Sequence, residues 1–257
     1  MACPKLETHA LAETTTGGAD TSHVSTSQQI TPSPKLAEVY ERLVAAYGIP
    51  EWRPDGDPLG GLIATILSQH TSDTNSRRAY QQLVAAFSTW EAVRDAPTAA
   101  VAETIRVGGL GQLKATRIQQ VLRALTQRLD ASGQPLTLDW LASLDLVAAA
   151  AALRSLPGVG PKTAACVLLF SLGQPAFPVD THVWRVARRL GLISARTSAD
   201  TAHVELAQAI PPRWRHPLHV NMIRLGREMC HAQRPRCGRC PLQPVCDFYW
   251  QTVIRPT

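Results

Sequence analysis

Leu156-Pro157-Gly158-Val159-Gly160-Pro161-Lys162-Thr163-Ala164 decides the reading of this chain. An alanine-rich helix over 145–156 stops at Leu156. Two glycines then permit a tight hairpin with positive φ. Pro161 starts the next helix, where its missing N–H costs nothing. The predicted unit is helix, hairpin, helix. Its turn leaves backbone N–H groups facing outward, an anion site suited to a DNA phosphate and blind to base sequence. Gly158, Val159 and Gly160 are the expected contacts.

Read alone, this hairpin is an anchoring device and Lys162 is one more phosphate contact. Eighteen residues on stands Val179-Asp180-Thr181-His182. One helix and a turn separate the two, enough chain to return a carboxylate beside the turn that holds Lys162. The positive end of a helix dipole and partial burial both favour the neutral lysine amine, which is the nucleophilic form. An adjacent aspartate opposes that. Its value then lies in taking or relaying protons and in stabilising a sugar that gains positive charge.

Further on, Cys230, Cys237, Cys240 and Cys246 give the spacing C-x6-C-x2-C-x5-C. Disulfides, a zinc ion and an iron–sulfur cubane are all open to four such residues. No secretory signal is seen, which argues against disulfides. The loop is wide, which suits an object larger than one ion. Pro235, Gly238, Pro241 and Pro244 break helix and strand, so the stretch reads as a loop wrapped on its cargo. Arg234, Arg236 and Arg239 between the cysteines point to a basic surface.

The 257 residues are 45% apolar, enough for one large domain or two lobes. No run approaches the length of a membrane span. The net charge is +6 and the pI near 9.2, which suits an anionic partner. Residues 1–34 hold Lys5 against Glu7, Glu13 and Asp20, so the remainder is more basic still. From Pro175 onward the basic residues are almost all arginine, whose planar fork suits phosphate. Residues 1–34 are rich in small polar residues and are expected to be a disordered tail. Three acids and no arginine argue against a transit peptide there.

The rest is patterned as helix. Leu36, Val39, Tyr40, Leu43, Val44 and Tyr47 form one stripe, closed by Gly48 and Pro50. Asp57-Pro58 opens a helix over 59–68. Asp73 is expected to cap the next, with Tyr80, Leu83, Val84 and Phe87 on its apolar face. Further helices are predicted at 89–94, 98–107, 113–129, 145–156, 161–172, 181–190, 198–210 and 213–232. No stretch alternates as a strand does, so the fold class is all-α.

The hairpin, the Val179-Asp180-Thr181-His182 motif and the cysteine spacing together resemble endonuclease III, the helix-hairpin-helix DNA glycosylase family that carries a 4Fe–4S cluster. The resemblance runs from about 36 to about 248. It implies two helical lobes with a DNA-binding cleft between them. One is a six-helix bundle over 55–174. The other is a cluster lobe built from 35–54 and 175–257.

By that resemblance Lys162 attacks C1′ and forms a Schiff base, and Asp180 assists proton transfer. Cys230, Cys237, Cys240 and Cys246 hold one 4Fe–4S cluster. Thr181 and His182 support the site, and His182 is placed among the DNA contacts, with a hydrogen-bonded core histidine as the alternative. Leu67-Ser68-Gln69-His70-Thr71-Ser72-Asp73 matches the loop whose polar residue fills the hole left by a flipped base. The family usually has glutamine where this chain has His70, so Gln69 or His70 is the plug. Gly109-Leu110-Gly111 matches the wedging loop, with Leu110 as the wedge. Pro161 departs from the basic residue often found there.

The implied activity is excision of oxidised pyrimidines followed by β-elimination. The implied partner is duplex DNA with damaged pyrimidines or abasic sites, met by a monomer with no membrane role. The implied location, in a bacterium, is the cytoplasm with its nucleoid. Adenine and mismatch glycosylases of the same fold usually lack the lysine, and 8-oxoguanine glycosylases usually lack the cluster. A non-catalytic DNA-binding protein with a structural metal loop is the alternative from another class.

Overall fold

Ser33 Oγ accepts from the N–H of Leu36, and Pro34 takes the first helical position, so helix α1 (Pro34–Tyr47) starts where its cap and its proline agree. The computed structural model describes residues 30–53, 56–130 and 135–254. Residues 1–29 of the expected tail lie outside these. Within the described residues no strand occurs, and no helix is long and apolar enough to cross a membrane.

Helix α2 (Pro58–Leu67) is buried along its whole length. It is apolar on every side, as a central helix must be. Asp57 caps it through Gly60 N–H at 2.9 Å. A Cβ at Gly60 would sit 2.5 Å from both the Asp57 carboxylate and the Tyr80 hydroxyl, so the first turn needs glycine to close on its cap. On α2 pack α3 (Asp73–Ala86), α6 (Gly111–Asp130) and α8 (Pro161–Cys166), while α4 (Trp90–Asp95) and α5 (Thr98–Thr104) pack on α6 and α7 (Leu146–Arg154) packs on α8. Leu59, Leu62, Ile66, Leu83, Ile118, Leu122, Leu125 and Leu153 form the heart of this first core. The segment expected to hold six helices thus carries α2 to α8 among the described residues, with α4, α5 and α8 very short.

A second core joins chain ends. Leu36, Val39 and Leu43 of α1 pack with Val183, Val186 and Leu190 of α9 (Thr181–Leu190), Leu206 of α10 (Ala199–Ala209) and Met222 of α11 (Pro212–Glu228). Tyr40 stacks on Trp214 at 4.3 Å, nearly parallel. Asn221 donates to Gly48 O at 2.9 Å. Ties between the cores include Asp73 with Arg227 at 2.8 Å and the Trp52 indole N–H on Leu169 O at 3.0 Å.

Three local expectations are corrected. Ser72, not Asp73, is the N-cap of α3, and Asp73 is its first residue. The helix expected over 161–172 is α-helical only to Cys166 and then widens into a π-turn, Val167–Ser171. That turn directs Phe170 edge-on to His216 and His219 of α11. The helix expected over 213–232 starts one residue earlier and ends at Glu228.

Candidate active site

Helix α7 ends at Arg154 and the chain turns through Val159 N–H on Leu156 O at 3.2 Å. Gly158 has φ +71°. A Cβ there would meet Arg117 Nε at 2.7 Å, so the position needs glycine for both backbone and space. Gly160 does not share the positive φ expected of it. It is extended at φ −90° and ψ 177°, because the residue before a proline is confined to that region. Val159 turns its side chain into the first core and spends its N–H inside the turn. Lys162 stands half-buried in the first turn of α8.

Asp180 is the N-cap of α9 and only 5% exposed. Its Oδ1 accepts from the N–H groups of His182 at 2.9 Å and Val183 at 2.7 Å. Burial pushes the carboxyl up, but the charged form of His219, present only in acid, and the Val183 N–H carry it below the usual range on balance. His219 is itself held uncharged at neutral pH, since burial pushes it down to about 4. The backbone donors therefore keep Asp180 ionised under ordinary conditions.

The buried ring of His219 lies where the charges of both Asp180 and Lys162 reach it, and Lys162 also bears on His203. The hairpin lysine and the α9 aspartate thus both bear electrostatically on His219. His182 packs on Gly226, where a Cβ would come within 2.9 Å of its Nδ1. That nitrogen accepts from Arg185 Nη2 at 3.0 Å, and burial lowers the ring's proton affinity.

The two expected DNA-contact loops are joined from beneath. Lys114 is 2% exposed, and its ammonium donates to Leu67 O at 2.7 Å and Gly108 O at 2.8 Å. Burial pushes it down to about 8. The two carbonyl oxygens pull the other way by stabilising the charged form. Just beyond each anchored carbonyl the chain enters the left-handed region at a non-glycine residue, His70 and Leu110, both at φ 54°. His70 is exposed and Leu110 is 52% exposed. Backbone held this way costs roughly 1–3 kcal/mol per residue and persists only where surroundings enforce it. Gln69 is half-buried, and its Oε1 accepts from Arg117 Nη1 at 2.7 Å.

The four cysteines line one pocket with Arg189, Met229, Phe248 and Tyr249. No group of three or more Cys, His, Asp or Glu is drawn to single-ion distance among the described residues. Burial raises the thiols of Cys237 and Cys246, and Cys240 to about 11. Arg189 donates to Cys230 Sγ at 3.1 Å and to His231 O at 2.7 Å, and Arg185 donates to Cys230 O at 2.8 Å. Both arginines rise from α9, the helix that Asp180 caps. An all-sulfur donor set on a loop with cationic support suits a thiolate-bound iron–sulfur group.

Sequence reasoning missed Lys114, Arg117, His203 and His219. Lys114 and His219 carried a signal, since each falls on an apolar stripe, with Ile118 and Val121 in one case and Met222 and Ile223 in the other. Arg117 and His203 carried none.

The chain matches the model of the HhH-GPD superfamily of base excision DNA repair proteins over residues 63–212. Endonuclease III of Thermotoga maritima is 33% identical over 200 residues, which cover 78% of this chain and 87% of that protein. A solved non-covalent endonuclease III–DNA complex gives a TM-score of 0.71 at 28% identity, covering 86% of this chain and 98% of that one. A trapped endonuclease III–DNA covalent intermediate gives 0.70 at 29% identity, covering 83% and 95%.

Proposed function

Because the chain belongs to the endonuclease III family, within the HhH-GPD superfamily of base excision DNA repair proteins, we propose that it removes oxidised pyrimidines from duplex DNA and cleaves the strand through Lys162. The chain is a base-excision DNA glycosylase. The lesion class and the lyase chemistry are our reading. The observation that supports it is the buried Asp180 carboxylate, which caps α9 by accepting from the N–H groups of His182 and Val183, together with Lys162 in the first turn of α8 directly after the hairpin.

In this mechanism the flipped nucleotide brings C1′ to the neutral amine of Lys162. The Nζ lone pair forms the bond to C1′, and the glycosidic bond breaks with its electron pair leaving on the base, which takes up a proton. Opening of the sugar ring gives the Schiff base, with O4′ protonated. Loss of a C2′ proton then expels the 3′ phosphate. Asp180 relays the amine proton and, as a buried anion, stabilises positive charge growing on the sugar. The hairpin over Gly158 and Gly160 anchors the phosphate backbone of the DNA partner.

The two cores are read as the two lobes, 55–174 and 35–54 with 175–257. In this reading the exposed His70 and Leu110 of the first lobe face the DNA cleft between the two. Cys230, Cys237, Cys240 and Cys246 fit a 4Fe–4S cluster. When bound it supplies cross-linking of the loop rather than a catalytic step.

Borohydride added to the protein with an abasic or thymine-glycol duplex should yield a covalent protein–DNA adduct. Lys162→Gln should bind the duplex and yield none. Binding without any adduct in the wild type would mean a non-catalytic DNA-binding protein or a glycosylase without lyase activity.

A further inference from the structure

Asp180 is delivered to the site by two residues outside any helix, Pro178 and Val179. Each is held by an imidazole from a different helix. His219 of α11 places Nδ1 at 2.8 Å from Pro178 O, so that nitrogen is the donor. His203 of α10 accepts the Val179 N–H on Nε2 at 3.0 Å, and its Nδ1 sits 2.9 Å from Ala199 O. A carbonyl only accepts and an N–H only donates. The tautomer of His203 is therefore fixed with its proton on Nδ1 and a lone pair on Nε2.

We propose that His203 and His219 are positioning residues for Asp180, two uncharged imidazoles that grip the Pro178–Val179 backbone from α10 and α11 and hold the α9 cap in line with Lys162. This rests on the role given to Asp180 above. His219 is fully enclosed, with Phe170 and Phe177 edge-on to it. Its ring cannot swing without unpacking both. Among the described residues its Nε2 has no hydrogen-bond partner, so within them only the Pro178 bond orients it through a polar contact. His203 is half-buried and carries the acid-sensitive contact. A second proton would turn N–H toward N–H at Val179 and break the grip.

Charged groups among the described residues bear on both rings. Asp200, on His203's own helix, favours the cation, while Lys162 from α8 opposes it. Asp180 favours protonation of His219, and Lys162 and His216 oppose it. Burial is the largest influence on both and keeps both neutral.

Three proteins decide the matter: wild type, His203→Leu and His203→Gln, each full length. Leucine removes the acceptor for Val179 N–H. Glutamine supplies a carbonyl acceptor that does not titrate. With abasic duplex at pH 8, single-turnover adduct formation in His203→Leu should slow about 10-fold, as misplacement of a working group does, with duplex affinity unchanged. His203→Gln should restore the rate. Its ratio to wild type should rise as pH falls below the ordinary imidazole range, where the wild-type ring takes its second proton and glutamine does not. Carbon NMR of the Asp180 carboxyl should show its titration moved upward in His203→Leu and restored in His203→Gln.

Wild-type rates in His203→Leu, or equal loss in both variants, would overturn the proposal. So would an Asp180 titration that ignores both substitutions. If the wild type forms no adduct at all, the Lys162 reading fails instead. The carboxyl titration then still decides whether His203 aligns Asp180.

Discussion

Arg117 donates to the side-chain oxygen of Gln69 at 2.7 Å while its Nε occupies the space that a Cβ on Gly158 would need. One guanidinium on α6 thus ties the loop after α2 to the hairpin before α8. Gln69 is restrained by this bond, whereas the neighbouring His70 is exposed at a strained tip. His70 is therefore expected to fill the gap left by a flipped base. His70→Ala should lower lesion-duplex affinity about 10-fold, as loss of a buried polar contact of 1–3 kcal/mol would. Gln69→Ala should change it less than 2-fold. Fluorescence of 2-aminopurine opposite the lesion reads the insertion directly, and the reverse order of effects would assign the gap to Gln69.

Asp180 serves as both cap and working carboxylate, and two substitutions separate these roles. Asparagine caps about as well as aspartate, so Asp180→Asn should alter stability by less than about 0.5 kcal/mol. It should slow adduct formation by about 100-fold or more, since the charge is gone. Asp180→Ala should lose the activity and in addition about 1 kcal/mol of stability. Urea melts beside single-turnover rates would show this split, and an active Asp180→Asn would remove Asp180 from the chemistry.

The same carboxyl sets a pH dependence. Its proton affinity is lower folded than unfolded. The stability it contributes is present above the unfolded carboxyl range and is lost as pH falls through it into the folded range. Melts of the wild type should therefore drop more steeply than those of Asp180→Asn below about pH 4. Parallel curves would show that other carboxylates govern acid unfolding.

Lys114 gives a second sign to check. Burial lowers its proton affinity, so between about 8 and the ordinary lysine range the native state binds fewer protons than the unfolded one. Stability then rises with pH across that window by linkage, and Lys114→Met should lack the rise. The variant also leaves Leu67 O and Gly108 O without their shared donor. It should weaken engagement of lesion duplex more than that of undamaged duplex, measured by competition binding. Equal losses on both would show that the joint does not serve His70 and Leu110.

Much of the architecture was legible because stripes of leucine, isoleucine and valine repeat at helical spacing. Leu36, Val39 and Leu43, or Ile118, Leu122 and Leu125, are buried as their spacing requires. Single-residue details were not. Ser72 and Asp73 are both good caps, and only the observed turn selects Ser72. The π-turn at Val167–Ser171 leaves apolar spacing unchanged, so no local pattern announces it. It brings Phe170 to the histidines of α11, partners more than forty residues away. The fixed φ/ψ range before proline did announce the extended Gly160, and two glycines in one turn hid it. At the candidate site, Lys162 and Asp180 could be singled out in advance because motifs mark them. His203 was not, because a lone histidine on a polar helix gains meaning only from the amide it faces.

The second core closes a ring of chain: Leu36, Val39 and Leu43 of α1 pack with Met222, Ile223 and Leu242. During synthesis α1 leaves the ribosome before any of those partners exist. At about 5–20 residues per second it waits on the order of 10–40 s for them. The intervening first core has all its partners in one continuous stretch and is free to assemble meanwhile. The amphipathic stripe of α1 is then the longest-exposed apolar surface of the nascent chain, the natural place for a chaperone to hold it. A circular permutant that moves α1 to follow Ile254 would remove that wait, and its yield on synthesis without chaperones should exceed that of the native order.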